Sequence, residues 1–250
     1  MLGGLLSVSG GGGGLSPLGL IGLIGWWDTS VTASMTLSGS NITNIADQSG
    51  LGHGLIGAGT VVYSATAFNT SFPGAQFING NSGALAAGLP LGTGNTLTAW
   101  FVGTLGTGAS SASGRIMSYN EAADSIHFDF NSPGSWVLGA GGTFTGVDLN
   151  RNNTHASATG LTASPAGHVV IITIDSSGVM TVYADGVPST TGTSSGNWVS
   201  NPGYFGVGRQ PAYVTDFWYG VLAEWGVATG FTNSTTVAAL NTYLKAKWGL

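Results

Sequence analysis

The chain has 250 residues, enough for one large β-sandwich or two small domains, and one domain is expected because all-β units reach this size undivided. Charged residues make up 6% of it, with Gly, Ser, Thr and Asn in their place, while 8 Trp and 10 Phe supply the bulky apolar surface that disordered chains lack. A formal net charge of −5 leaves no basic stripe to neutralise nucleic-acid phosphates, and the lack of Cys excludes disulfides and thiolate metal sites.

Residues 1–25 read as a Gly-rich, uncharged N-terminal arm, with Gly10 to Gly14 offering no side chains to hold a structure. No Lys or Arg precedes Asp28, so the charged start of a secretory leader is missing. The apolar stretch from Leu15 to Trp27 is short and broken by Pro17 and glycines, which argues against a membrane-spanning helix. The arm is expected to anchor the protein against a neighbouring subunit, the alternative being that it folds back on its own domain.

From Trp26 onward, short β-branched and aromatic runs alternate with Gly, Ser, Asn and Pro clusters, the pattern of a sandwich or barrel spanning 26–250. Strands are expected at Thr60 to Tyr63, Ala75 to Ile78, Leu97 to Val102, Arg115 to Tyr119, Ile126 to Phe130, His168 to Ile174, Val179 to Ala184, Tyr204 to Val207 and Gly220 to Val227. Asp175-Ser176-Ser177-Gly178 and Asp185-Gly186 read as tight turns, the second favouring positive φ. One helix is expected at 234–248: Asn233 or Ser234 can cap it, and Val237, Leu240 and Leu244 share a face. Lys245 and Lys247 suit the negative end of its dipole, and Gly249 ends it. No internal repeat is evident.

Several segments, in order, resemble the laminin-G-like and concanavalin A-like lectin or glucanase superfamily, in the versions found in bacteriophage structural proteins. Leu23-Ile24-Gly25-Trp26-Trp27-Asp28 resembles the opening strand, and Asp47-Gln48-Ser49-Gly50-Leu51-Gly52 resembles its D-x-S-G-x-G turn. Leu97-Thr98-Ala99-Trp100-Phe101 is similar to an inner strand, and His168 to Asp175 with Met180 to Val187 resembles the paired strands ending in Y-x-D-G. Trp218 to Trp225 is similar to the last strand, and Tyr243 to Gly249 looks like the ending of phage-associated members. The resemblance covers nearly everything after Leu23 and implies a two-sheet antiparallel jelly-roll sandwich.

Glycosidases on this fold set two carboxylates across the scissile bond, commonly from an E-x-D-x-E strand, and none is present. The glutamates are Glu121 and Glu224 alone, and Glu224 falls where the resemblance implies a structural strand carboxylate. His53, His127, His155 and His168 sit on separate elements without zinc-ligand spacing, and no G-x-S-x-G elbow occurs. No catalytic residue is assigned.

The resemblance implies calcium in rim loops, for which Asp28, Asp47 and Asp216 are the candidate ligands; turn chemistry is the competing reading, strongest for Asp47. No cofactor is required. For sugar, aromatic platforms with planar polar groups on loops are the relevant hardware, and Trp136, Trp198, Tyr204, Arg209 and Tyr213 are the candidates; filling the core or a subunit interface is the competing role.

These readings point to a non-enzymatic virion surface protein, such as a capsid decoration, head fibre or tail-associated subunit. It would be anchored by its arm to other virion proteins and display a lectin-like domain for host glycan attachment. A permanent homo-oligomer, trimeric by analogy of fold, is expected, without nucleic acid or membrane insertion. The alternative is a bacterial or viral carbohydrate-binding adhesin acting extracellularly. A glycoside hydrolase is a lesser reading.

Overall fold

The computed structural model describes residues 15–78, 84–91, 94, 96–109, 114–120, 127–132, 146–151, 154–159, 167–193, 203–208 and 218–250. Its strands are β1 Leu23–Asp28, β2 Met35–Ser38, β3 Asn41–Ile45, β4 Leu55–Ala58, β5 Val61–Phe68, β6 Phe72–Phe77, β7 Ala84–Leu89, β8 Leu97–Ala109 and β9 Gly114–Asn120. They continue with β10 His127–Ser132, β11 Gly146–Arg151, β12 Thr154–Thr159, β13 His168–Ile174, β14 Val179–Ala184, β15 Val187–Thr193, β16 Gly203–Val207 and β17 Trp218–Ala228, before helix α1, Ser234–Trp248.

All strand pairs are antiparallel, and hydrogen bonds link the 17 strands into one network that folds over itself into two layers. The first layer runs β5–β6–β17–β8–β13–β14–β15, with β1 beside β6 along the same edge of β17. The second runs β2–β3–β4–β7–β16–β9–β10–β11–β12. A single pair, Asn41 opposite Val62, carries the ladder from one layer to the other. The chain is thus the antiparallel β-sandwich with a C-terminal helix that the sequence predicts.

Side chains alternate across a strand, so the first layer has two faces, and both are buried. Val170, Ile172 and Ile174 of β13, with Leu97, Ala99 and Phe101 of β8, face the second layer's Ile42, Leu55, Leu89, Ile116 and Phe205. Trp27 lies at the centre of this core, stacked on Phe205 at 5.5 Å and Trp225 at 6.4 Å between ring centroids. On the opposite face, Val169, Ile171, Trp100 and Val102 meet Val237, Leu240, Leu244 and Trp248 of α1. Burial on both sides is why His168 to Ile174 reads as a continuous apolar run and not as an alternation.

The helix begins and ends where its sequence requires. Asn233 Oδ1 accepts from Thr236 N at 3.0 Å, and Gly249 takes the left-handed conformation at φ 67°. The Asp185-Gly186 turn has both residues at positive φ, 53° and 90°, as a two-residue hairpin between right-twisted strands needs. At the other end of the chain, residues 15–22, assigned to the arm by composition, pack on the domain: Leu20 is buried and Leu15 lies against the helix-side cluster. Residues 1–14 lie outside the described residues.

Candidate functional site

The largest concentration of charge in the described interior lies between the first layer and α1. On β1 the i, i+2 spacing puts Trp26 and Asp28 on the helix-facing side while Trp27 enters the core. On β17 the register slips between Leu222 and Glu224, a β-bulge that turns Glu224 toward the helix although Leu222 and Trp225 both point into the core. Asp28 and Glu224 then stand directly opposite each other in the β1–β17 ladder. Two like charges in that position repel.

The last turn of α1 answers the repulsion. Lys247 Nζ donates to Asp28 Oδ2 at 2.5 Å and to Glu224 Oε2 at 2.6 Å. Trp26 Nε1 donates to Glu224 Oε1 and Trp248 Nε1 to Glu224 Oε2, each at 2.8 Å, and Ser30 N and Oγ donate to Asp28 Oδ1 at 2.8 and 2.6 Å. The rings of Trp26, Tyr243 and Trp248 lie 5.2–5.8 Å from the ammonium, within cation–π range. The Asp28 and Glu224 side chains are 3% and 0% exposed, and Lys247 is 22% exposed.

Burial raises the pKa of Glu224, and Asp28 beside it adds to the rise against the opposing pull of Lys247. Burial pushes Lys247 down, but the Glu224 and Asp28 carboxylates outweigh it and leave its pKa above the ordinary lysine value. No local pattern signals the pairing, because Asp28 and Lys247 are 219 residues apart and Lys247 reads locally as a dipole partner. The one local signal is that Asp28 and Glu224 each adjoin a Trp that enters the core, Trp27 and Trp225.

A glycosidic bond has no place between these carboxylates: both are buried and share one cation, and two indoles hold Glu224. Of the calcium candidates, Asp28 has Oδ2 facing the Lys247 ammonium and Oδ1 accepting from Ser30 N and Oγ. Asp47 lies in the turn that follows β3. Its buried carboxylate accepts from Trp26 N at 3.0 Å, Ser49 N at 2.8 Å, Ser49 Oγ at 2.6 Å and His53 N at 3.1 Å. Gln48 N donates to Trp26 O at 2.6 Å, and His53 Nδ1 lies 2.6 Å from Ile24 O. The D-x-S-G-x-G turn is therefore a clamp on the free edge of β1. Among the described residues no cluster of three or more metal-binding side chains occurs.

His168 Nδ1 lies 2.8 Å from Asp185 Oδ2, and Val169 N donates to Asp185 Oδ1 at 3.0 Å, so the turn aspartate ties the two ends of the β13–β14 hairpin. Burial raises the Asp185 pKa, but the His168 hydrogen bond, the Val169 amide and the nearby cations bring it below the ordinary value. Of the sugar candidates, Tyr204 has its backbone on β16, paired with Gly88 and Asn120. The Tyr204 side chain and Trp136, Trp198, Arg209 and Tyr213 lie outside the described residues, as does Asp216.

No protein-family model matches the chain, and no curated protein sequence does. Solved structures do. Domain 4 of AbnA, a GH43 extracellular arabinanase from Geobacillus stearothermophilus, solved in complex with arabinotriose, superposes with a TM-score of 0.58 at 14% identity, covering 88% of this chain and 98% of that one. The botulinum neurotoxin serotype G binding domain gives 0.62 at 10% identity, covering 91% of this chain and 54% of that one. A GH54 α-L-arabinofuranosidase gives 0.59 at 15% identity, over 83% of this chain and 51% of the other. The chain spans about half the length of the latter two. At these identities the likeness shows the fold, a β-sandwich.

Proposed function

We propose that the chain is a non-catalytic carbohydrate-binding β-sandwich, displayed at a virion surface through its N-terminal segment. The observation that carries the sugar reading is the match to AbnA domain 4: nearly the whole of each chain superposes, and that domain was solved with a bound arabino-oligosaccharide. The non-catalytic reading rests on the sequence, which lacks an E-x-D-x-E strand; the Asp28–Glu224 pair is engaged by Lys247, Trp26 and Trp248.

The topology narrows where a sugar would bind. Helix α1 covers the outer face of the first layer, leaving the second layer and its connections. Trp198 precedes β16, Tyr204 lies on it, Arg209 and Tyr213 follow it, and Trp136 falls in the β10–β11 connection; all these strands belong to the second layer. The virion reading is supported by the sequence resemblance to phage-associated sandwich domains and by the uncharged Gly-rich N-terminal segment. No cofactor is required.

Titration against neutral oligosaccharides, arabino-oligosaccharides included, with and without EDTA, tests the sugar reading. Saturable binding that Trp198→Ala weakens at least tenfold is expected. Lack of binding across a broad glycan panel and to intact host cells, or release of reducing sugar, overturns it. Immunogold labelling of purified particles tests the virion reading: label on intact particles is expected, and none on any particle fraction refutes it.

A further inference from the structure

The buried trio between β1, β17 and α1 has the parts of a condensation reaction as well as those of an ion pair. A primary amine, a carboxyl group and a second carboxyl group within hydrogen-bond reach of that amine are enclosed together. Lys247 Nζ sits 2.5 Å from Asp28 Oδ2, and Glu224 Oε2 sits 2.6 Å from the same nitrogen. We propose that Lys247 and Asp28 join covalently, through an intramolecular amide whose formation Glu224 promotes.

In the step, Glu224 takes a proton from the Lys247 ammonium, and the freed lone pair on Nζ attacks Cγ of Asp28. Ser30 N–H and Oγ–H, both already on Oδ1, hold the negative charge that develops on that oxygen in the tetrahedral intermediate. The Cγ–Oδ2 bond then breaks, with Oδ2 leaving as water after receiving one proton from Glu224 and one from the attacking nitrogen. An ammonium and a carboxylate become an amide and one water, Glu224 returns to its starting state, and no oxidant, cofactor or activated donor is needed.

Three features of the site favour this over a static ion pair. Fixing the amine against the carboxyl carbon's oxygen converts a bimolecular condensation into an intramolecular one. Burial penalises the separate charges on Lys247 and Asp28, and a neutral amide removes that penalty, while Glu224 keeps the indole donors of Trp26 and Trp248. Glu224 is held by Trp26 Nε1 and Trp248 Nε1, which fix it at the amine while leaving it no other cation to neutralise. Its raised pKa suits a group that must accept and then return a proton. The bond would tie the end of the first described strand to the last turn of the helix, closing the sandwich covalently without cysteine.

Intact-mass spectrometry of the full folded chain tests the proposal, with proteolytic mapping to locate the change. Expected is a protein lighter than its sequence by one water molecule, and a branched peptide joining the segment around residue 28 to that around residue 247. In denaturant, an amine-reactive label should modify Lys245 and spare Lys247. Lys247→Arg should show the unreduced mass, and Glu224→Gln should leave the amine free in a chain whose circular dichroism still reports strand. A wild-type chain of full mass with Lys247 labelled in denaturant overturns the bond, and this result stands even where a variant fails to fold. A branched peptide persisting in Glu224→Gln overturns the role of Glu224.

Discussion

Replacing Asp47 by Ala removes the carboxylate from the clamp on β1. The carboxylate is fully buried and accepts four hydrogen bonds. The two from Ser49 are local, and that residue can turn to solvent once the acceptor is gone. The amides of Trp26 and His53 cannot, because Trp26 is fixed by its pairing with Gly226 and His53 by the bond from Trp27 Nε1 to its carbonyl at 3.0 Å. Two hydrogen bonds to a charged acceptor, each contributing about 1.5–3 kcal/mol, put the loss at about 3–6 kcal/mol. For a domain of this size that lowers Tm by about 6–24 °C, measured by calorimetry or near-ultraviolet circular dichroism. The pH dependence carries the same signature. Burial alone would raise the Asp47 pKa, but the Ser49, Trp26 and His53 donors hold it below 3.8. Its contribution is therefore complete above that value and disappears as pH falls toward the lower folded-state pKa, so wild type should lose stability in acid more steeply than the variant. A Tm within about 2 °C of wild type would refute the clamp. A wild-type Tm that falls on EDTA addition while the variant's does not would restore Asp47 as a calcium ligand.

Other perturbations probe separate parts of the structure. Lys247→Met leaves Asp28 and Glu224 buried without a cation and should cost about 3–5 kcal/mol at neutral pH by urea denaturation. Because burial already raises the Glu224 pKa and Lys247 is the group that opposes the rise, this variant should gain stability as pH falls into the acid range, and a flat profile contradicts the pairing. Asp185→Ala removes a carboxylate whose folded pKa is lowered, so the stability it contributes above the ordinary aspartate range should vanish from the acid limb of the pH curve. Leu240→Ala should cost about 2–5 kcal/mol, since Leu240 is fully buried between α1 and the first layer. At Gly226 an added Cβ would come within 2.2 Å of the Trp100 ring and 2.8 Å of Gly25 O, so Gly226→Ala should destabilise by about 1–3 kcal/mol in the same urea assay.

The elements legible in the sequence share a physical signature. β13 and β14 are rich in Val and Ile and end in turns with obligatory residues, and their bounds match the sequence expectation. The same holds for α1, whose cap, apolar face and terminal glycine agree with one another. The strands without a sequence signal carry little β-propensity: β7 is Ala-Leu-Ala-Ala-Gly-Leu, β12 is Thr-His-Ala-Ser-Ala-Thr, and β15 contains Pro188 and Gly192. Such segments become strands because a neighbour offers a ladder; Ala86 is paired on one side with Ile56 and on the other with Gly206. The turn bonding of Asp47 is legible from its neighbours alone. The pairing of Asp28 with Glu224 and Lys247 is not, because neither the β1–β17 register nor the bulge before Glu224 is visible in any local window.

The placement of charge bears on what the surface can recognise. Each acid whose side chain is described is engaged internally: Asp28 and Glu224 with Lys247, Asp47 in its turn, Asp175 with the amides of Ser177 and Val179, and Asp185 with His168. Lys247, one of only two lysines in the chain, is likewise turned inward. Among the described residues charge joins elements and is little used to cover them, and with only 6% charged residues in the chain the polar surface rests mainly on hydroxyl and amide groups. A surface of that kind lacks the long-range field that steers a charged partner, and its selectivity must come from hydrogen bonds and contact at short range. Neutral sugars present hydroxyl groups and apolar ring faces that meet those requirements, whereas a polyanionic glycan would find few cations to offset its desolvation. Arabino-oligosaccharides and other uncharged glycans should therefore bind with affinities insensitive to salt, and binding that weakens steeply with ionic strength would place the recognition on charges that the described structure does not present.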